Sequence, residues 1–234
     1  MSNGITKILA IESGTEICSV GVAYNGQIVA LRESNVGRDH AKSVAQFAHE
    51  VLEECALEVK DLDAVAVGKG PGSYTGLRIG VSVAKGLCFG AGVPLIGVGS
   101  LESLAQVALE SVAEGEDGVI EEGDTLVPMV DARRMEVYAQ LFSSDGVAEG
   151  DVEAVVVDEE SFKGVESLVI FGDGAAKCRE VLPRAKYIDV AASAIGVAKV
   201  AQEKLQRGET EDVAYFEPFY LKEVVVTKSN KRLF

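Results

Sequence analysis

Two acidic residues, Glu12 and Asp131, end apolar segments at corresponding places in the two halves of the sequence. Acids that face each other across a cleft can hold a metal ion and position the groups of a phosphoryl transfer. The alternative interpretation, which we favour, is that these acids mark equivalent strand ends that carry no chemistry. Asp131 fits equally well into a salt-bridged rim with Arg133, Arg134 and Glu136. Glu12 and Asp131 are therefore kept only as candidates for weak contacts with a nucleotide phosphate.

A glycine-rich run, residues 68–80, separates a short apolar strand from a helical segment. The run matches neither the G-x-x-x-x-G-K-[ST] phosphate loop nor the G-x-G-x-x-G dinucleotide fingerprint. Free N–H groups at the start of the following helix can bind an anion, with Lys69, Ser73 and Arg78 as candidate weak contacts. The favoured interpretation is a tight turn in which Ser73 or Thr75 is the N-cap of the helix.

Neither the histidines nor the serines form a recognisable catalytic set. His40 and His49 are the only histidines, and nine residues of helix turn through about 900°, which places the two rings on opposite faces. We therefore do not expect them to chelate a metal ion. Ser13, Ser19 and Ser73 lack a histidine–acid pair that would make one of them a nucleophile. The sequence thus predicts no catalytic residue and no metal ligand set.

Net charge limits the partners that the chain can bind directly. The 234 residues carry a formal net charge of −15, whereas affinity for nucleic acid comes largely from Lys and Arg that neutralise phosphates. We therefore expect any nucleic acid to be held mostly by another protein. The local exception is a basic C-terminal run, which consists of Lys222, Lys228, Lys231 and Arg232.

Cysteine usage and hydropathy predict a soluble, cytoplasmic protein. The four cysteines are far apart and form no C-x-x-C pair, which is typical of a reducing compartment. The most apolar stretch, residues 79–99, contains Lys85 and Pro94. It therefore predicts two elements joined by a turn and not a membrane span.

The spacing of apolar residues predicts two successive α/β units with a similar order of elements. In the first unit we predict strands at 7–12, 17–24, 27–34, 64–68 and 94–98, and helices at 40–57, 75–90 and 101–112. In the second we predict strands at 126–131, 136–142, 151–157, 168–171 and 185–189, and helices at 175–182 and 192–206. The predicted lobes are 1–113 and 125–234, the second reduced, with an acidic linker at 114–124. The helix at 192–206 is the element that can pack back on the first lobe.

The helix predicted at 75–90 is apolar on nearly all sides, so it cannot have one face on its own sheet and the other in water. Gly76 and Gly80 begin a row of small side chains at four-residue spacing, which lets another helix approach closely. The residues leave two interpretations open. Either the helix is buried within its own chain, or it also contacts a second protein.

Five segments resemble those of the TsaB (YeaZ-like) family, and together they span nearly the whole chain in order. Residues 70–80, GPGSYTGLRIG, resemble the family signature. The other four segments are 8–14 (ILAIESG), 131–138 (DARRMEVY), 172–175 (GDGA) and 217–221 (EPFYL). Glu12 stands where the family usually has Asp, which argues against a metal or phosphate role at that turn.

The resemblance implies an α/β protein with the duplicated actin-like, Hsp70-like and sugar-kinase (ASKHA) fold, in two lobes with mixed sheets. It implies a pseudo-enzyme that binds a TsaD-like catalytic subunit, which transfers threonylcarbamoyl to adenosine 37 of tRNAs that read A-starting codons. A TsaE-like ATPase joins the pair. ATP or ADP and a metal ion are expected in those partners and no cofactor in this chain, and tRNA is expected to bind only through the complex.

The resemblance also places the contact with the TsaD-like subunit on the two first-lobe helices, which can form a homodimer when that partner is absent. The implied interface residues are Val44, Phe47, Ala48, Val51, Gly76, Ile79, Gly80, Val83 and Leu87. Two alternatives remain: a free-standing ATP-dependent kinase or ATPase of the same fold, and a homodimeric scaffold with no role in tRNA modification.

Overall fold

The fold consists of two five-stranded sheets and four helices, in a computed structural model that describes residues 4–34, 40–115 and 119–222. The strands of the first sheet are β1 (Lys7–Glu12), β2 (Cys18–Tyr24), β3 (Gln27–Ser34), β4 (Ala64–Gly70) and β5 (Leu95–Gly99). Those of the second are β6 (Thr125–Asp131), β7 (Glu136–Phe142), β8 (Ala148–Val156), β9 (Leu168–Phe171) and β10 (Lys186–Ile188). The helices are α1 (His40–Glu54), α2 (Tyr74–Ala91), α3 (Ser100–Glu114) and α4 (Ala194–Gln206).

Both sheets have the same strand order. The first runs β3-β2-β1-β4-β5, and the second, read in the equivalent direction, runs β8-β7-β6-β9-β10. In each sheet the first three strands are antiparallel neighbours, and the last two are parallel additions. Hairpins produce the antiparallel pairs, whereas parallel pairs need longer crossover connections. The predicted duplicated α/β architecture with mixed sheets is therefore confirmed.

The second unit has less helix than the sequence predicts. The helix predicted at 175–182 is wrong, because only a 3₁₀ turn forms there, at Ala176–Cys178. The segment is shorter than an independently stable helix, and Pro183 follows it and disfavours helical geometry in the residue before it. Cys178 and Leu182 are nevertheless buried against the second sheet. Within the described residues 157–167, turns connect β8 to β9 without a helix.

The two units interlock through their last helices. One face of the first sheet is covered by α1 and α2, and the other by α4, which comes from the second unit. Helix α3 belongs to the first unit but packs on the second sheet. The helices α3 and α4 also meet closely, since a Cβ added to Gly196 would lie 2.0 Å from the carbonyl oxygen of Ser103. A boundary between residues 113 and 125 therefore separates the strands of the two sheets, but each unit contributes a helix to the core of the other.

The start of α4 is fastened to the first sheet by a small polar network. Ser193 is the N-cap, and its Oγ accepts a hydrogen bond from Ile195 N at 3.2 Å and donates to Glu33 Oε1 at 2.8 Å. Ser19 Oγ donates to the same carboxylate oxygen at 2.7 Å and accepts from Ala194 N at 2.8 Å. Both units therefore contribute to holding this helix end.

We expect Ser193→Ala to lower the free energy of unfolding by about 1 kcal/mol, because it removes the N-cap of α4. Urea denaturation of the full chain measures the effect. Ser82→Ala is the control, since Ser82 is exposed in the middle of α2 and alanine is a good helix former. A midpoint that moves as much in the control as in Ser193→Ala would contradict a specific role for the cap.

Candidate functional site

The carboxyl group of Glu12 lies inside the protein at the end of β1. Its Oε1 accepts a hydrogen bond from Gly14 N at 2.7 Å, and its buried Oε2 has no hydrogen-bond partner among the described residues. Oε2 lies so close to Gly68 that a Cβ there would be only 2.3 Å away. Burial raises the pKa of Glu12 to about 7. Hydrogen bonds from the backbone N–H groups of Gly14 and Ser13 lower the pKa, but by less than burial raises it. With no exposed surface, Glu12 is out of reach of a ligand in this structure.

Asp131 is the exposed counterpart of Glu12 in the second unit, and it is already engaged. Its Oδ1 accepts a hydrogen bond from Arg133 N at 2.9 Å and forms an ion pair with Lys177. The neighbouring Asp173 accepts from Asp131 N at 2.9 Å. Burial raises the pKa of Asp173, and the charge of Asp131 adds to the effect. Asp131 thus belongs to a salt-bridged rim, although its cation is Lys177 and not one of the arginines predicted from the sequence.

The glycines that follow β4 are occupied by the chain itself. A Cβ on Gly72 would lie 2.4 Å from the carbonyl oxygen of Gly14, and one on Gly76 would lie 2.0 Å from that of Ser13. Ser73 N donates to the Gly14 carbonyl at 2.6 Å, and Ser13 Oγ donates to the Gly76 carbonyl at 2.9 Å. The run therefore packs closely against the β1–β2 turn, and the backbone N–H of Ser73 is already bonded there.

The predicted N-cap is confirmed at Ser73, whose Oγ accepts from Gly76 N at 3.4 Å, so α2 begins at Tyr74. The candidate phosphate contact at Ser73 therefore satisfies a donor of its own helix. Its side chain is exposed, but its backbone N–H is already used by Gly14.

A segment that follows α4 covers the other side of the same turn. Phe219 N donates to the Lys69 carbonyl at 2.7 Å, and a Cβ on Gly70 would lie 2.6 Å from the Phe219 carbonyl oxygen. Lys85 Nζ donates to the carbonyl of Phe216 at 2.9 Å. The loop 68–72 is therefore enclosed by the β1–β2 turn and by the closing segment 211–222.

Lys69 and Arg78, the two cationic candidates, lie at opposite ends of this turn. Lys69 is half-buried, whereas Arg78 is exposed on α2, with its guanidinium 5.1 Å from the centre of the Tyr74 ring. Tyr74 in turn packs on Tyr220, with 5.1 Å between ring centres. Among the described residues, the two cations and the acids Glu12 and Asp131 do not line one open pocket, because Glu12 is fully buried.

Five of the predicted interface residues are buried within this chain. Val44, Ala48 and Val51 lie in the core between α1 and the first sheet. Gly76 and Gly80 also face inward, and a Cβ on Gly80 would lie 2.3 Å from Ser13 Oγ. The row of small residues thus admits the protein's own β1–β2 turn and not a second protein. The prediction that these five contact a partner is corrected accordingly.

The other four predicted residues lie along the outward seam of the two helices. Phe47, Ile79, Val83 and Leu87 pack partly on the core and remain partly exposed. Their role in binding stays a prediction. The exposed Tyr74, Thr75 and Ser82 join Ile79 and Val83 around an open groove of about 370 Å³. A second groove, of about 710 Å³, contains the exposed His49 and passes Leu87.

The sequence analysis did not predict three further residues on the outward side of α2. Phe89 is 86% exposed. Gly86 and Gly90 are exposed, and a Cβ on either would meet no atom of the described chain within 4 Å. At 100° per residue, Phe89 and Gly86 lie opposite the buried row that starts at Gly76. Helical spacing therefore identifies both as outward residues once the buried row is known. We call Ile79, Val83, Gly86, Leu87, Phe89 and Gly90 the outer face of α2.

Three observations concern other sequence predictions. No helix in the described ranges has both the length and the hydropathy to cross a bilayer. Within those ranges, no three His, Cys, Asp or Glu side chains cluster in a way that could hold a metal ion. The side chain of His40 and the basic residues Lys228, Lys231 and Arg232 lie outside the described residues.

Comparisons with known families agree on one group of proteins. The family model described as "TsaD: tRNA N6-adenosine threonylcarbamoyltransferase" matches residues 34–215. The chain is 32% identical to "tRNA threonylcarbamoyladenosine biosynthesis protein TsaB" of Escherichia coli, over 95% of this chain and 97% of the relative. It is 37% identical to the protein of that name from Haemophilus influenzae, over 56% of this chain and 51% of the relative.

Two solved structures superimpose on this chain. YeaZ from Pseudomonas aeruginosa superimposes with a TM-score of 0.75 at 25% identity, over 92% of this chain and 100% of that one. An activator of 2-hydroxyisocaproyl-CoA dehydratase from Clostridium difficile, solved with bound ADPNP, gives a TM-score of 0.51 at 12% identity. It covers 87% of this chain and 97% of that one, and at this identity the likeness concerns the fold alone. The predicted actin-like, duplicated fold is confirmed.

Proposed function

Because this chain belongs to the TsaB/YeaZ family, we propose that it is the non-catalytic partner subunit of the complex that forms threonylcarbamoyladenosine at position 37 of tRNA. In this role it binds and stabilises a TsaD-type catalytic subunit through the outer face of α2 and the adjoining seam of α1. A TsaE-type ATPase joins the pair, and the complex works in the cytoplasm. Two copies of the chain pair through the same face when the catalytic subunit is absent.

The observation that carries this proposal is the composition of the outer face of α2. A phenylalanine that is 86% exposed loses roughly 1.5–3 kcal/mol of stabilisation that burial would supply. Gly86 and Gly90 each lower the stability of a helix by roughly 0.5–1 kcal/mol relative to alanine, and no contact in the described chain requires a glycine at either position. An apolar partner helix that packs closely over the two glycines accounts for both features.

The glycine turns of both units also support this proposal, because an active member of this fold would hold a nucleotide there. In the first unit, loop 68–72 is filled by the β1–β2 turn and the closing segment, and the Glu12 carboxyl group is buried. In the second unit, a Cβ on Gly172 would lie 2.5 Å from the Met129 carbonyl oxygen. Each unit therefore uses its glycines to pack its own backbone. This favours a subunit whose metal and nucleotide are held by its partners.

Reconstitution of the modification reaction tests the function. Purified TsaD-type and TsaE-type proteins are supplied with threonylcarbamoyl-adenylate, ATP and tRNA, with and without this chain. We expect threonylcarbamoyladenosine to form only when the chain is present, and the chain alone to show no ATP turnover. ATP turnover by the chain alone that is abolished by Asp131→Ala would support the free-standing enzyme instead. Modification that proceeds equally well without the chain would contradict the proposal.

Gly86→Ala is expected to have opposite effects on folding and on binding. It should raise the free energy of unfolding of the isolated chain by roughly 0.5–1 kcal/mol, because the added methyl group enters open space. It should also weaken binding of the TsaD-type subunit, because the methyl group holds the partner helix away. Urea denaturation and a binding titration measure the two effects.

Gly164→Ala is the matched control, because Gly164 also meets no atom of the described chain within 4 Å but lies in the second unit. Binding that is unchanged in Gly86→Ala would remove Gly86 from the proposed contact. Binding that is weakened equally in Gly164→Ala would show that the loss does not depend on the outer face.

A further inference from the structure

Two adjacent arginines hold an unusual backbone conformation at the tip of the β6–β7 hairpin. Arg133 has a φ of 73° and Arg134 a φ of 53°, and both residues are exposed. Side chains with a Cβ are disfavoured in this left-handed region, which glycine and asparagine occupy most easily. A hairpin tip selected only for stability would place those residues here. Strain of this kind is found most often at functional sites.

Neither guanidinium has a carboxylate partner in the part of the chain that the structure describes, and the two acids nearest in sequence pair with lysines instead. Asp131 pairs with Lys177, and Glu136 pairs with Lys222. In a chain with a formal net charge of −15, arginines find carboxylate partners easily. Among the described residues, the two guanidinium groups of the hairpin tip take part in no ion pair.

The closing segment contacts both the β6–β7 hairpin and the start of α2, the helix that carries another exposed cation, Arg78. Lys222, which pairs with Glu136 on β7, follows closely on Tyr220, which packs on Tyr74 at the start of α2. Arg78 is one helical turn further along and stacks on the same tyrosine. It also lacks a carboxylate partner within the described ranges. The closing segment therefore connects the hairpin tip to the first turns of α2.

We propose that Arg133 and Arg134 bind backbone phosphates of the tRNA while the partner subunit holds most of it. This rests on the proposed function and adds a direct contact with the substrate RNA. The guanidinium group matches phosphate geometry, with two parallel N–H donors for two oxygens. Contacts of this kind position an RNA without reading its sequence. Their small number is consistent with a chain whose overall charge repels nucleic acid.

The test measures tRNA binding by the assembled complex at several salt concentrations. Each phosphate contact contributes roughly 0.7–0.9 to the slope of log affinity against log salt. In a complex that contains Arg133→Gly/Arg134→Gly we therefore expect the slope to fall by roughly 1.4–1.8 and the affinity at low salt to drop several-fold. The same variant should be at least as stable as the wild type, because glycine relieves the strained backbone.

Two controls separate a phosphate contact from a general charge effect. Arg133→Lys/Arg134→Lys keeps both charges and should keep the salt slope. Arg207→Ala/Lys163→Ala removes two positive charges from ion pairs elsewhere and should also leave the slope unchanged. These variants are compared at equal occupancy of the complex.

A wild-type slope in the glycine variant would overturn the RNA contact. Loss of the TsaD-type subunit from the glycine variant would also overturn it, because the arginines would then serve a protein interface. Failure of the wild-type chain to enter the complex would contradict the proposed function itself, and this assignment with it.

Discussion

Phe89→Glu is expected to weaken binding of the TsaD-type subunit by more than about 100-fold, because central aromatic residues of an interface contribute roughly 2–4 kcal/mol and an unpaired buried charge adds a further cost. At a concentration low enough to keep the isolated chain monomeric, the variant should unfold at the same urea concentration as the wild type, since Phe89 is 86% exposed and leaves no cavity. Isothermal titration calorimetry measures the affinity and urea denaturation measures the stability. Phe89 is a better probe than Val83, which packs partly on the core, so that its replacement affects folding and binding together.

Val147→Glu is the matched control. Val147 is 60% exposed but lies between β7 and β8, in the unit that does not carry the outer face of α2. The Val147→Glu substitution adds the same charge to an exposed apolar position and should leave binding of the TsaD-type subunit unchanged. If Phe89→Glu binds the TsaD-type subunit as tightly as Val147→Glu, the outer face of α2 is not the contact surface.

The second large effect is a loss of stability as the pH rises. The folded-state pKa of Glu12 is about 7, above the ordinary value of 4.5, so the folded protein binds more protons than the unfolded chain between these values. The contribution of Glu12 to the free energy of unfolding is therefore largest below about pH 4.5, falls as the pH rises to 7, and is constant above that. At 1.36 kcal/mol for each pKa unit, the fall amounts to about 3 kcal/mol between pH 5 and pH 8.

Glu12→Gln should remove most of this pH dependence and make the protein more stable than the wild type at pH 8. Glutamine keeps an acceptor for Gly14 N and resembles the protonated carboxyl group, so the two proteins should be similar at pH 5. Denaturation in urea at each pH measures the difference. Glu149→Gln, at an exposed position on β8, is the control for a simple change of net charge. Parallel stability curves for the wild type and Glu12→Gln would contradict a buried, destabilising charge.

The strand framework could be predicted from the sequence because it depends on local pattern. The Asn25-Gly26 hairpin and the apolar strands around it place β1, β2 and β3 within one residue of their observed bounds. The Ser73 cap was predicted for the same reason, since a serine before a helix acts within four residues. The duplicated order of strands followed from the same local signals. The reduced second unit was only partly predicted, because a short segment before Pro183 reads as a helix until its tertiary contacts are known.

The site could not be predicted to the same extent, because it depends on contacts between distant residues. Helix α2 is apolar on almost every side, so its sequence does not say which side faces inward. The close approach of Gly76 and Gly80 to Ser13 decides this, and that contact spans more than sixty residues of chain. The inward position of Glu12 depends in the same way on the missing side chain of Gly68. Once these contacts fix the inward row, Phe89 and Gly86 necessarily face outward.

A calorimetric titration of the TsaD-type subunit from the same organism into the full chain, at several temperatures, tests whether this chain is the partner subunit. We expect saturable binding at one partner per chain. We also expect a negative heat-capacity change, because apolar surface on the outer face of α2 leaves water on binding. Heats that show no saturable binding, with or without the TsaE-type ATPase and nucleotide, would contradict the assignment of this chain as the partner subunit.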